Sequence, residues 1–183
     1  MIVEDLTIEG LKVFIPKVFA DDRGYFFESF NQKLFNEAVG ESISFCQDNE
    51  SKSSKFVLRG LHFQAPPFGQ GKLVRVTQGS VLDIAVDLRK DSKTYGQYEK
   101  VLLSAENKKQ FWIPEGFAHG FLALEDNTVF NYKCTGFYNK ESEGGLNWDD
   151  PVLSIDWGLK SNPVLSEKDQ VPTSFLDFNT PFQ

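Results

Sequence analysis

Histidine is scarce in this chain: among 183 residues only His62 and His119 occur. His62 lies in Leu58-Arg59-Gly60-Leu61-His62-Phe63. An imidazole titrates near neutrality, so it can take a proton and later release it. A base that works at carbon also needs a fixed orientation. A carboxylate on the second ring nitrogen supplies that and stabilises the imidazolium formed. Asp and Glu together number 26, and spacing does not select the partner. His119 ends the turn Pro114-Glu115-Gly116-Phe117-Ala118-His119, where proline and glycine fix the backbone ahead of a strand and suit the ring to touching a ligand. Two histidines cannot build a three-histidine metal site, though two with one carboxylate could; neither belongs to an HxH or HExxH pattern, and no metal is expected.

Lys72 opens a strand after Gly69-Gln70-Gly71, a position from which a cation can meet a developing enolate oxygen or a phosphate. The plain alternative is a solvated lysine. Tyr132 sits among apolar residues of an alternating segment. It reads either as a core tyrosine with a satisfied hydroxyl or as an acid facing a base across a pocket. Arg23 and Arg59 have the planar fork that suits phosphate, although either alone is more often a surface or ion-paired arginine. No GxGxxG, Walker or G-x-S-x-G pattern is present, which argues against a dinucleotide cofactor or a serine nucleophile.

The elements that must hold these residues are mostly strands. Met1 to Gly10 already alternates, and Leu11 to Pro16 is a strand ended by proline. Ala20 to Gly24 is a turn, followed by a short aromatic strand from Tyr25 to Phe30. Asn31 caps the one convincing helix, with Phe30 and Phe35 as its hydrophobic staple and Gly40 as its stop. Further strands are expected at Phe56–Phe63, Leu73–Thr77, Val81–Leu88, Tyr98–Leu103, Gln110–Ile113, Phe121–Leu124 and Val129–Thr135. In a regular strand Leu58 and His62 share a face and Arg59 points away, unless Gly60 marks a bulge. Leu82, Ile84, Val86 and Leu88 share one face, with Val81, Asp83, Ala85 and Asp87 on the other. Phe130, Tyr132 and Cys134 share a face opposite Asn131 and Lys133. After Phe137 the chain loosens into an irregular tail. About nine short strands and one helix predict an all-β jelly roll whose mouth forms a ligand pocket, in a single domain spanning 1–183.

A formal net charge of -7, with no Lys/Arg stripe, excludes ordinary nucleic-acid binding but leaves room for a small phosphorylated ligand met by a few aimed cations. Cys46 and Cys134 read as two buried thiols of a reducing compartment. No apolar run is long enough to span a membrane and the first ten residues are no signal peptide, so a cytoplasmic enzyme is expected.

Six separated stretches carry a specific resemblance: Asp22-Arg23-Gly24-Tyr25-Phe26, Gln47-Asp48-Asn49-Glu50-Ser51, Leu58-Arg59-Gly60-Leu61-His62-Phe63-Gln64, Gly71-Lys72-Leu73-Val74-Arg75, Trp112 to Phe121, and Leu165-Ser166-Glu167-Lys168-Asp169. In this order they resemble the dTDP-4-dehydrorhamnose 3,5-epimerases over nearly the whole chain. The resemblance implies a cupin-type jelly roll that works without cofactor or metal. It also implies a homodimer with exchanged N-terminal strands. The implied substrate is the dTDP-linked 4-keto-6-deoxy sugar. His62 then matches the base, Asp169 its carboxylate partner, Tyr132 the opposed acid and Lys72 the cation near the C4 oxygen. Arg23, Glu28, Gln47, Asn49, Arg59, His119, Glu143 and Lys168 match substrate contacts, and Tyr138 an aromatic stacked on thymine. Leu61-His62-Phe63 lacks the HxH pair of metal-binding cupins, in agreement with the histidine count.

Overall fold

The computed structural model describes residues 1–170 and 173–183. Its strands are β1 (Ile2–Asp5), β2 (Lys12–Ile15), β3 (Phe19–Asp21), β4 (Gly24–Phe26), β5 (Gln47–Ser53), β6 (Leu58–Gln64), β7 (Lys72–Gln78), β8 (Ser80–Asp87), β9 (Tyr98–Ser104), β10 (Gln110–Ile113), β11 (Phe117–Ala123), β12 (Thr128–Cys134) and β13 (Glu143–Gly145), with one α-helix, α1 (Gln32–Val39). One sheet runs β1-β2-β10-β7-β12-β5 and the other β13-β6-β11-β8-β9, while β3 and β4 form a separate hairpin. Every pairing between named strands is antiparallel. The two sheets face one another as an all-β, cupin-type jelly roll.

The core follows from strand alternation, because successive side chains leave opposite faces of a pleated strand. Val81 and Ala85 of β8 point inward with Val74, Val76, Phe111, Phe121 and Phe130. Phe121 and Phe130 bridge the sheets as a stacked pair, centroids 4.2 Å apart. The other face of β8 is buried as well. Ile84, Val86 and Leu88 lie with Leu58, Leu61, Leu146, Trp157 and Phe182. The irregular C-terminal segment is therefore a third layer over the second sheet. An eight-residue strand apolar on both faces requires such a cover.

The helix forms as its signals predict. Asn31 Oδ1 accepts from the backbone N–H of Lys33 and Leu34 at 3.1 and 3.2 Å, and Gly40 ends the helix in the left-handed region at φ 83°. The Phe30 and Phe35 rings stand 5.8 Å apart. Phe35 also packs on Phe14 and Trp112, which fixes the helix to the outside of the first sheet.

Four local expectations need correction. The aromatic strand expected over Tyr25–Phe30 stops at Phe26. The strand expected from Phe121 begins at Phe117, so Pro114-Glu115-Gly116 alone makes the turn. Gln47–Ser53 and Glu143–Gly145 are strands although neither carries apolar alternation; ladder hydrogen bonds to β12 and β6 define them. Cys134 is buried, but Cys46 is exposed.

Candidate active site

A cavity of about 510 Å³ opens between the sheets. From the first sheet it takes Gln47, Asn49 and Ser51 of β5, Lys72 of β7, and Phe130 and Tyr132 of β12. From the second it takes Arg59, His62 and Gln64 of β6 with His119 and Phe121 of β11. Phe63, Gln70, Tyr138, Glu143, Ser166, Lys168 and Asp169 complete the wall.

One irregularity in β6 lets this set converge. His62 pairs with His119 and Arg59 with Phe121, so three steps on β6 match two on β11. That extra residue is a bulge at Gly60, and it reverses the alternation. Arg59 and His62 therefore both reach the cavity, whereas Leu58 and Leu61 lie behind the sheet. The regular-strand expectation that Leu58 and His62 share a face does not hold. Gly60 is required there: its φ is 128°, and an added Cβ would lie 2.5 Å from Gly120 Cα.

His62 Nε2 and Asp169 Oδ1 are 2.6 Å apart, with the histidine side chain 27% exposed and the aspartate 3%. Ser166 Oγ donates to Asp169 Oδ2 at 2.6 Å. Burial works against ionisation of Asp169. The hydrogen bonds from His62 and Ser166 outweigh it, and the carboxyl is held below its ordinary value. An ionised carboxylate accepts only, so Nε2 is the donor, and in the neutral ring it is Nδ1 that carries the lone pair. Asp169 rides on the 3-10 turn Glu167–Gln170 of the tail. A parallel bridge between Val57 and Val164 ties the tail to the barrel upstream, and one between Leu146 and Thr173 ties it downstream.

A second histidine–aspartate pair lies beside the first. His119 Nε2 is 2.9 and 3.1 Å from the two oxygens of the fully buried Asp83. Burial pushes the Asp83 carboxyl up, against the opposing pull of His119 and Lys72. Asp83 was not singled out from the sequence, although a carboxylate on the inward face shared by Val81 and Ala85 was a usable signal. Burial pushes the Lys72 ammonium down, with Cys134 and Asp83 pulling it back up. Burial likewise raises the Tyr132 phenol, which keeps its proton through the neutral range.

At the mouth, Tyr138 is half-exposed; its hydroxyl donates to Glu143 Oε2 at 3.1 Å and its backbone N–H to Gln47 Oε1 at 3.2 Å. Gln47 in turn donates to Asn49 Oδ1 at 2.9 Å. Lys168 pairs with Glu143, whose carboxyl is held below its ordinary value because this pairing outweighs its burial. The structure thus brings together eleven of the thirteen expected site residues. Arg23 and Glu28 are not among the cavity residues of their own chain. Arg23 lies in the turn between β3 and β4, with its side chain 90% exposed and paired to Asp21.

Among the described residues, no three His, Cys, Asp or Glu side chains are grouped to hold a metal ion. No helix among them is long and apolar enough to cross a membrane.

Residues 5–177 match the family model described as dTDP-4-dehydrorhamnose 3,5-epimerase. The chain belongs to the dTDP-4-dehydrorhamnose 3,5-epimerase family. It is 55% identical over 170 residues to the enzyme of that name from Shigella flexneri, covering 93% of each chain. The crystal structure of a dTDP-4-dehydrorhamnose 3,5-epimerase from Elizabethkingia anophelis superposes with a TM-score of 0.92 at 49% identity, covering 97% of each chain. That of a dTDP-6-deoxy-D-glucose-3,5-epimerase from Legionella pneumophila, in complex with dTDP-4-keto-L-rhamnose, gives 0.95 at 46% identity, covering 99% of this chain and 97% of that one. The family's sugar-nucleotide chemistry frames the geometry of this cavity.

Proposed function

We propose that this protein inverts C3 and C5 of dTDP-4-dehydro-6-deoxy-D-glucose to give dTDP-4-dehydro-L-rhamnose. One observation supports the mechanism: an oriented imidazole and a protonated phenol enter one cavity from opposite sheets, His62 from β6 and Tyr132 from β12. The C4 ketone acidifies the hydrogens on its two neighbouring carbons. His62 Nδ1 takes one of them, the C–H pair becomes the carbon–carbon double bond of the enolate while the carbonyl π pair moves onto the C4 oxygen, and Lys72 stabilises that oxygen. Tyr132 returns a proton on the other face and recovers its own from solvent, and His62 releases its proton, so the centre inverts. The same cycle at the second carbon needs the ring to turn while the nucleotide stays anchored. Tyr138, Gln47, Lys168 and Arg59 supply the groups for that anchor.

We assign the working form to a homodimer. The β3–β4 hairpin exposes Phe19, Tyr25 and Phe26. Strand β5 ends its sheet, with one edge unpaired among the described residues, and it lines the cavity. A hairpin added to the partner's β5 would cover both the aromatic face and the open edge. It would also carry Arg23 and Glu28 toward the partner's cavity.

The test is to incubate the protein with dTDP-4-dehydro-6-deoxy-D-glucose in heavy water, trap the product with a 4-keto reductase, and locate deuterium. Label at both C3 and C5 is expected. Label at a single carbon would make it a one-centre epimerase, and no label would remove the proposed activity.

A further inference from the structure

We infer that the Ser51 hydroxyl is a ligand-binding group that donates to the pyrophosphate of the bound nucleotide beside Arg59. This rests on the sugar-nucleotide reading above and extends it to a residue with no assigned role. Among the described residues, Ser51 Oγ is the one buried side-chain polar atom without a hydrogen-bond partner. Such a group is destabilising unless something supplies the missing bond. Its neighbours on the same strand face are satisfied within the protein. Asn49 accepts from Gln47 and donates to Cys134 Sγ, and Ser53 Oγ accepts from Arg59 Nε at 3.2 Å. Directly across the ladder stands Phe130, whose side chain offers no acceptor.

Ser51 lines the same cavity as His62 and Arg59, so a ligand is the available partner. Arg59 indicates its chemistry. One Nη of Arg59 donates to the Lys52 carbonyl at 3.3 Å and Nε is held by Ser53, while the other Nη has no partner among the described residues. The cavity carboxylates are already engaged, Asp169 by His62 and Ser166 and Glu143 by Lys168 and Tyr138. A hydroxyl donor that shares a cavity with an incompletely used guanidinium suits an anionic oxygen, and a charged acceptor makes the stronger bond.

The experiment measures binding of dTDP, of thymidine and of a dTDP-hexose to wild type, Ser51→Ala and Ser51→Thr by titration calorimetry, with melting curves of each free protein. Ser51→Ala is expected to weaken dTDP and the dTDP-hexose by the same factor, about tenfold. Thymidine binding should be unchanged. The free Ser51→Ala protein should melt no lower than wild type, because it loses no internal bond, and Ser51→Thr should keep most of the dTDP affinity. Unchanged dTDP affinity in Ser51→Ala would overturn the assignment. So would a loss confined to the dTDP-hexose, which would place the hydroxyl on the sugar. So would a lower melting temperature in Ser51→Ala that Ser51→Thr restores, which would give it an internal partner. Wild-type protein that binds dTDP with this Ser51 dependence but turns over no 4-keto sugar would end the proposed activity and leave the Ser51 assignment standing.

Discussion

Replacing Asp169 with Asn tests the dyad with the smallest change in shape. The carboxylate uses one oxygen for His62 and the other for Ser166, both at 2.6 Å, and its side chain is 3% exposed. An amide keeps one oxygen and gains two N–H donors. With its oxygen toward Ser166, the amide N–H faces His62 Nε2, which must then accept. The proton moves to Nδ1, and the nitrogen that should take the substrate hydrogen is blocked. With its oxygen toward His62 the tautomer survives, but the imidazolium loses its countercharge. A hydrogen bond to a charged partner is worth about 1.5–3 kcal/mol, so the expected fall in kcat is at least about 10-fold and up to about 150-fold. The assay is the rate of deuterium entry at C3 and C5 in heavy water, with dTDP affinity measured alongside and expected to stay within about twofold, since Asp169 bonds His62 and Ser166 rather than the anchoring groups. A second readout is stability against pH. The folded carboxyl sits below the ordinary value of 3.8, so the unfolded chain binds the proton more readily. The stability contributed by ionised Asp169 is complete above that value and is lost as pH falls through the folded one. The difference in urea midpoint between wild type and Asp169→Asn should therefore narrow below about pH 4. A variant with wild-type kcat would falsify the argument that Asp169 sets the histidine's tautomer and charge.

Three further outcomes follow from the same geometry. Tyr132→Phe should slow product formation by about 10²-fold or more, while loss of deuterium from substrate labelled at C5 falls much less; equal losses would deny it a separate role as acid. Lys72→Met should reduce kcat by about 10²–10³-fold. The same variant should unfold at higher temperature at pH 7, because the lysine's folded pKa lies below 10.5. The unfolded chain then holds the proton more tightly, so the charged side chain costs stability until pH passes the ordinary lysine value; a lower melting temperature in Lys72→Met would contradict this sign. Gly60→Ala should destabilise by about 2–5 kcal/mol, lowering the melting temperature by about 4–20 °C, since the new Cβ meets Gly120 in a left-handed backbone. It should also disturb both Arg59 and His62. A variant that melts and turns over like wild type would mean that the bulge is dispensable.

The sequence by itself was enough for the helix, most strands, the all-β class and the chemical candidates. Asn31, Phe30, Phe35 and Gly40 act within one helix length, and the alternation at Val129–Thr135 is local, so neighbouring residues carry that information. The six matched stretches identified residues of the cavity that spacing alone left unpaired, Asp169 foremost among them. Tertiary structure decided what depends on partners distant in the chain. Gln47–Ser53 is polar throughout and becomes a strand only because β12 offers it a ladder. The bulge that turns Arg59 and His62 to one side exists only against β11. Asp83 became part of the site through His119, 36 residues away, and Asp169 through His62, 107 residues away. Hydrophobic alternation is set by nearest neighbours, whereas a bulge, a polar edge strand or a buried histidine–aspartate pair is stable only when the facing element is in place.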